Sequence, residues 1–168
     1  IHPNPIGFFR QGKVETSDKE VEVHVEVVLQ YNDSYNEQVL CYTNTIHNPD
    51  GGAHLSGFRS ALTRAINQYA KQNELLKDKD PQITGDDVRE GLTAVISIKH
   101  SDPKFESQTK VKLISPEVES TVSSICYEGL MHYFDSNPPI AKRILEKGLN
   151  AARAREAARK ARDTVRKS

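Results

Sequence analysis

Lys110 stands in a polar stretch, DPKFESQTKVKL over residues 102–113, with Gln108 and Thr109 directly before it. Lysine is a compact, strongly hydrated cation, and an amide and a hydroxyl beside it add neutral hydrogen-bonding groups. Together they suit an anion such as a terminal phosphate. No glycine-rich phosphate cradle surrounds them, so the rest of any nucleotide pocket would have to come from elsewhere. From the triplet alone, a plain surface lysine is the favoured reading.

The other reactive side chains form no catalytic constellation. His24 falls on the polar side of a strand pattern with no ligand at metal-binding spacing, so it is expected to be solvated or hydrogen-bonded and no metal site is expected. His54 follows two glycines just inside a helical pattern, where a local hydrogen-bonding role is favoured over catalysis. His47, His100 and His132 give no grouping. Neither Gly-x-Ser-x-Gly nor a Walker-type loop occurs, and an independent enzyme is not expected.

A second kind of chemistry is carried by arginine. The whole chain is neutral, yet from Lys142 onward ten basic residues oppose three acidic ones, leaving that stretch at +7 against −7 for the remainder. Within it, Arg155, Arg159, Arg162 and Arg166 repeat along one side of a helix, a stripe that could neutralise phosphates without reading sequence. A simply solvated charged helix is the alternative. Arg59 sits at the edge of an apolar helical stripe, where covering the core rim with its stem and touching a phosphate are both open. Arg64 points nearly opposite.

The elements that must position these groups are legible as periodicities. The length of 168 residues fits one domain. Val21, Val23, Val25, Val27 and Leu29 alternate with Glu20, Glu22, His24, Glu26 and Gln30, which predicts a half-buried strand interrupted by Val28. Residues 6–13 supply a neighbouring strand, and VLCYTNT after a turn reads as the returning antiparallel one. Leu55, Phe58, Leu62, Ala65, Ile66 and Tyr69 then recur at helical spacing and predict a helix of about five turns covering the sheet. A short helical turn is expected at 86–90, and LTAVISIKH reads as an interior strand. Ser115 as N-cap and Pro116 at the first position open a further helix ending near 135–137, and Pro138 and Pro139 start a last one. That last helix can dock through Ile140, Ile144, Leu145 and Leu149. Beyond Asn150 it offers only a narrow seam of Ala151, Ala154, Ala158, Ala161 and Val165.

Cys41 and Cys126 lie far apart in apolar patterns, which suits a reduced compartment, and the longest apolar run is far too short to span a membrane. A cytoplasmic protein with no membrane partner is expected. The chain begins at Ile1 rather than Met, so a piece of something longer is expected.

Four segments, DGGAHLSGFRSALTRAINQY, TGDDVREGL, DPKFESQTKVKL and NAARAREAARKAR, occur in that order. Each resembles the matching segment of the transducer domain of the bacterial DNA gyrase B subunit, and the first, second and fourth favour gyrase over topoisomerase IV. The resemblance spans essentially the whole chain. It implies an α+β, two-layer, ribosomal-protein-type fold: a mostly antiparallel four-stranded sheet with helices on one face, a left-handed crossover, and a long basic C-terminal helix. Residues 1–137 would be the transducer core and 138–168 the helix leading toward the cleavage core.

The resemblance also implies roles. Lys110 would contact the ATP γ-phosphate and stabilise charge during hydrolysis, Gln108 would help bind that phosphate, and Thr109 is a possible third member. Arg59 matches an arginine lining the cavity that accepts DNA, and Arg155, Arg159, Arg162 and Arg166 lie on a helix where contact with DNA is implied without assignment to single residues. ATP and Mg2+ would be held mainly by an ATP-binding domain preceding this region in the same subunit. A second B subunit, the gyrase A subunit and double-stranded DNA would be the other partners. The nucleotide-binding motifs, the acidic metal-binding motif of the cleavage core and a strand-cleaving tyrosine are not recognisable in this chain, so alone it is expected to be inactive and to hold no cofactor. Two other readings stay open: a stand-alone phosphate- or nucleic-acid-binding module using the basic helix, and a structural interaction domain using the alanine seam.

Overall fold

The computed structural model describes residues 6–15, 20–32, 34–74, 83–100, 103, 105, 108, 110 and 112–167. In chain order the elements are β1 Ile6–Glu15, β2 Glu20–Tyr31, β3 Gln38–Thr43, β4 Ile46–His47, α1 Ala53–Gln72, α2 Gly85–Arg89, β5 Leu92–Lys99, α3 Pro116–Ser136 and α4 Pro138–Lys167. The strands form one sheet in the order β1-β2-β5-β3-β4. It is an α+β fold, as the resemblance implies, with two differences from the expected four-stranded, mostly antiparallel sheet. The sheet is five-stranded because the two-residue β4 extends it, and it is mixed because β3 and β5 run parallel.

The strand expected to return against β2 does not pair with it. β5 lies between them, antiparallel to β2 and parallel to β3. Alternation specifies which face a strand buries but not which neighbour it takes. The six residues between β2 and β3 are also long enough to cross the roughly 10 Å left by an inserted strand. β5 suits the interior position: Leu92, Ala94, Ile96 and Ile98 are buried on one face, and both backbone edges are paired.

Val23, Val25, Val27, Leu29 and Tyr31 put the buried face of β2 against the helices, and the expected exception, Val28, points the other way. It sits opposite Val95, and both are 37 % exposed. Their side chains shelter one another on an otherwise wet face.

α1 and α3 cover the inner face. The apolar stripe of α1 is buried as predicted through Phe58, Leu62, Ala65, Ile66 and Tyr69, while Leu55 is half-buried. Its crossing with α3 is set by Gly57: a Cβ there would lie 2.5 Å from the Glu119 carbonyl oxygen and 3.1 Å from Val122 Cβ. Arg64, on the outer side of α1, lies 4.4 Å over the ring of Tyr127 on α3. Tyr69 and Phe134 meet edge to face at 5.6 Å nearer the far end.

α3 ends at Ser136 with Asn137 as its C-cap, and α4 begins at Pro138, where the paired prolines place it. The first half of α4 is docked by Ala141, Ile144, Leu145, Leu149 and Ala152, all buried. The next residue on that stripe is Arg155. Its guanidinium meets the buried carboxylate of Asp87 on α2, Nη2 to Oδ2 at 3.2 Å and Nε to Oδ1 at 3.4 Å. Ala154, Ala158 and Ala161 of the expected seam are exposed.

Gly57→Ala is expected to cost about 1–3 kcal/mol, because the added methyl meets backbone rather than a movable side chain. Urea denaturation checks this; stability within error of the parent would show that α1 can be lifted from α3 without loss.

Candidate functional site

The segment containing Gln108 and Lys110 is anchored by Leu113. Leu113 bridges Phe105 antiparallel and Gly52 parallel. Its N–H donates to the Gly51 carbonyl at 3.0 Å, and its carbonyl accepts from the Ala53 N–H at 2.9 Å. Gly52 has φ +129°, and a Cβ there would lie 2.0 Å from the Leu113 oxygen, so the close approach requires glycine. The first turn of α1 and the end of the loop are thereby one backbone unit.

A buried amide completes the attachment. Asn48 Nδ2 donates to the Lys110 carbonyl at 2.6 Å. Asn48 Oδ1 accepts from Thr43 Oγ1 at 2.7 Å and from His54 Nε2 at 3.2 Å. Because that oxygen can only accept, Nε2 carries the imidazole proton and Nδ1 is left as an acceptor with no partner among the described residues. Burial alone pushes the His54 pKa down to about 4, so the ring is neutral. The local hydrogen-bonding role expected of His54 is the one it plays.

The other root of the segment is tied as well. Asn44, in the β3–β4 turn, bonds both backbone groups of His100: its Oδ1 accepts from the N–H at 2.9 Å and its Nδ2 donates to the carbonyl at 2.8 Å. His100 Nε2 lies 3.2 Å from Glu117 Oε1 at the start of α3.

Between these anchors Lys110 has φ +59°. For a residue with a Cβ this left-handed conformation costs about 1–2 kcal/mol, and the Asn48 bond to its carbonyl helps to hold it. Lys110 is exposed, and its ammonium rests 5.7 Å from the centre of the Phe105 ring. Gln108 is exposed in a turn. Thr109 lies outside the described residues. An ammonium and an amide at the surface, on a rigidly rooted backbone, can present donors to an anionic oxygen from another body.

The arginines are more engaged than their spacing suggests. Arg59 Nη2 is 2.9 Å from Glu37 Oε1, and Glu37 Oε2 takes Arg89 Nε at 3.2 Å. Arg155 is the latch on Asp87 described above, and the Asp87 carboxyl, although burial opposes it, is held below the usual carboxylate range by the Thr84 N–H and by Arg155. Arg159 is paired with Glu156 at 2.8 Å on the same helix. Arg162 is exposed, and the Arg166 side chain lies outside the described residues. The four do not form a uniform stripe: one docks the helix and one is neutralised along it.

A family model described as DNA gyrase B matches residues 2–164. The chain belongs to the DNA gyrase B family. The gyrase B subunit of Mycobacterium leprae is 51 % identical over 158 residues, covering 94 % of this chain and 23 % of that protein, so the chain spans about a quarter of the length of such relatives. The structure is similar to the 43K ATPase domain of Thermus thermophilus gyrase B, solved with an aminocoumarin, at TM-score 0.77 and 46 % identity over 92 % of this chain and 41 % of that one. It is also similar to the ATP-binding domain of Francisella tularensis topoisomerase IV, at TM-score 0.72 and 28 % identity, covering 89 % of this chain and 39 % of that one. The larger identity to the gyrase B structure agrees with the motifs that favour gyrase.

Sequence reasoning missed Asn48, Asp87, Glu37 and Arg89. Asp87 had a signal: Thr84 followed three residues later by an acid is a capping-box spacing, and Thr84 N–H and Oγ1 both reach Asp87 Oδ2 at 2.9 Å. Asn48 and Glu37 had none: Glu37 meets Arg59 and Arg89 across 22 and 52 residues, and the Asn48 bond to the loop spans 62.

Folded His54 stays neutral to about pH 4, whereas an unfolded histidine takes its proton near 6.5. The unfolded state therefore binds more protons in that window, and stability falls as pH is lowered through it. His54→Gln, which keeps a donor for Asn48, is expected to flatten this part of the stability–pH curve in urea titrations; an unchanged slope would assign the acid loss to other groups.

Proposed function

We propose that this chain is the transducer region of a gyrase B subunit within an ATP-dependent type II DNA topoisomerase, and that Lys110, with Gln108, is its sensor of the ATP γ-phosphate. The observation that carries the reading is the placement of Lys110: a positive φ, a carbonyl held by Asn48, and an exposed ammonium whose neighbour among the described residues is the aromatic face of Phe105. In this reading Mg2+ and most of the nucleotide fall to an ATP-binding domain of the same subunit.

ATP would supply the γ-phosphoryl group that is transferred to water. Lys110 would place a positive charge where negative charge develops, a preorganised contribution of the kind that dominates phosphoryl transfer. Gln108 would donate a neutral hydrogen bond, and Thr109 is a possible third donor. Any shift of Lys110 toward the phosphate bears on the Asn48 amide and on Leu113, hence on the first turn of α1. α1 is interlocked with α3 at Gly57, and α3 leads through Asn137 into α4. This contiguous set of packed elements supports transmission of nucleotide state to the C-terminal helix, the segment 138–168 that would lead from the core 1–137 toward the cleavage core.

The remaining assignments follow from the same reading: a second B subunit closing an ATP-clamped gate, the gyrase A subunit, double-stranded DNA passing a cavity lined in part by Arg59, and a cytoplasmic location. Of the arginines described on α4, Arg155 and Arg159 have acidic partners within the chain and Arg162 is exposed. That engagement also weakens the alternative of a stand-alone nucleic-acid-binding module built on the basic helix.

Lys110→Ala in the full-length subunit is expected to lower ATP turnover by roughly 10²-fold. Steady-state ATPase assays check this, and turnover near the parent value would remove the γ-phosphate role.

A further inference from the structure

We propose that Arg59 and Arg89 form a paired seat for a nucleic-acid backbone phosphate, and that Glu37 is its built-in competitor. The inference rests on the reading above only for the statement that Arg59 faces passing DNA.

The two arginines come from different elements, Arg59 from α1 and Arg89 from the last position of α2, and a single carboxylate joins them. Glu37 divides its oxygens, Oε1 to Arg59 Nη2 at 2.9 Å and Oε2 to Arg89 Nε at 3.2 Å. A phosphodiester also presents two anionic oxygens from one centre, and guanidinium groups bind both kinds of anion through parallel N–H donors. Glu37 thus occupies the position that a backbone phosphate would take. Donor capacity is left over: Arg59 Nε is buried with no acceptor among the described residues, and a buried N–H without one carries a desolvation cost.

The seat is open to exchange. Side-chain exposures are 39 % for Arg59, 20 % for Arg89 and 25 % for Glu37, so the carboxylate can rotate into water without dismantling the core. Arg89 has a second acid, Asp86, but that side chain is 88 % exposed and its attraction is screened. With Glu37 in place the cluster of Arg59, Arg89, Glu37 and Asp86 is neutral, and with Glu37 turned out and a phosphate in its place it keeps two donors on one anion. Exchange of one anion for another weakens binding relative to a bare arginine pair. A surface that duplex DNA must pass, rather than be stored on, needs contacts of that kind.

The test uses a short duplex DNA of random sequence, this chain at low salt and no nucleotide, so that its outcome is independent of ATP turnover. By fluorescence anisotropy, Glu37→Gln is expected to raise affinity several-fold, Arg89→Ala to lower it, and the double variant to lose the gain. In the unmodified chain, the arginine Nε–H resonances of Arg59 and Arg89 should shift together as the duplex is added. Affinity unchanged by a folded Glu37→Gln variant would reduce the cluster to an ion pair tying a loop to two helices. Resonances that stay fixed on addition of duplex would overturn the proposal even if that variant failed to fold. Loss of the γ-phosphate role of Lys110 would leave both readouts unaffected.

Discussion

The buried side-chain amide of Asn48 is the interaction on which the loop geometry depends. An amide removed from water must have its donors and acceptor met inside the protein. Asn48 meets them with groups from three places: Thr43 on the sheet, His54 on α1 and the Lys110 carbonyl in the loop. One side chain therefore fixes three elements whose sequence positions differ by up to 67 residues. The backbone contact of Leu113 with Gly51, Gly52 and Ala53 completes the junction, and it tolerates no side chain at Gly52. Given this junction, a lysine can be held with an unfavourable backbone conformation and still present its charge outward.

Electrostatics in the chain follow the same logic of shared partners. The excess of basic residues after Lys142 suggests a uniformly positive rod, but Arg155 is committed to a buried aspartate and Arg159 to a glutamate one turn away. Burial of Asp87 would be costly alone; the Thr84 capping hydrogen bonds and Arg155 offset that cost. Arg155 thereby changes from a surface charge to an attachment of α4 on α2.

Much of the fold was legible because hydrophobic periodicity survives tertiary context when one face is buried. The β2 alternation, the α1 stripe, the Ser115–Pro116 start and the break before Pro138 all correspond to observed elements. The partner of β2 was not legible, because strand insertion depends on chain routing rather than on local pattern. The loop triplet was visible as residue types, and the motif order gave it meaning. Its support was hidden: nothing in the letters at 48, 52 or 110 announces a carbonyl hydrogen bond, a contact closer than a methyl allows, or a positive φ on lysine. Arginine spacing gave the direction of a helix face but not the acids that meet it.

The Asp87–Arg155 contact also defines a lever. Beyond it α4 continues to Lys167, a rigid rod about 18 Å long at ~1.5 Å per residue. A tilt of about 10° at the docked end would carry the far end by roughly 3 Å, the order of a side-chain width. An adjustment too small to disturb the packing at Leu149 or Ala152 would thus arrive amplified at the C-terminal end, with the Asp87–Arg155 ion pair at the pivot.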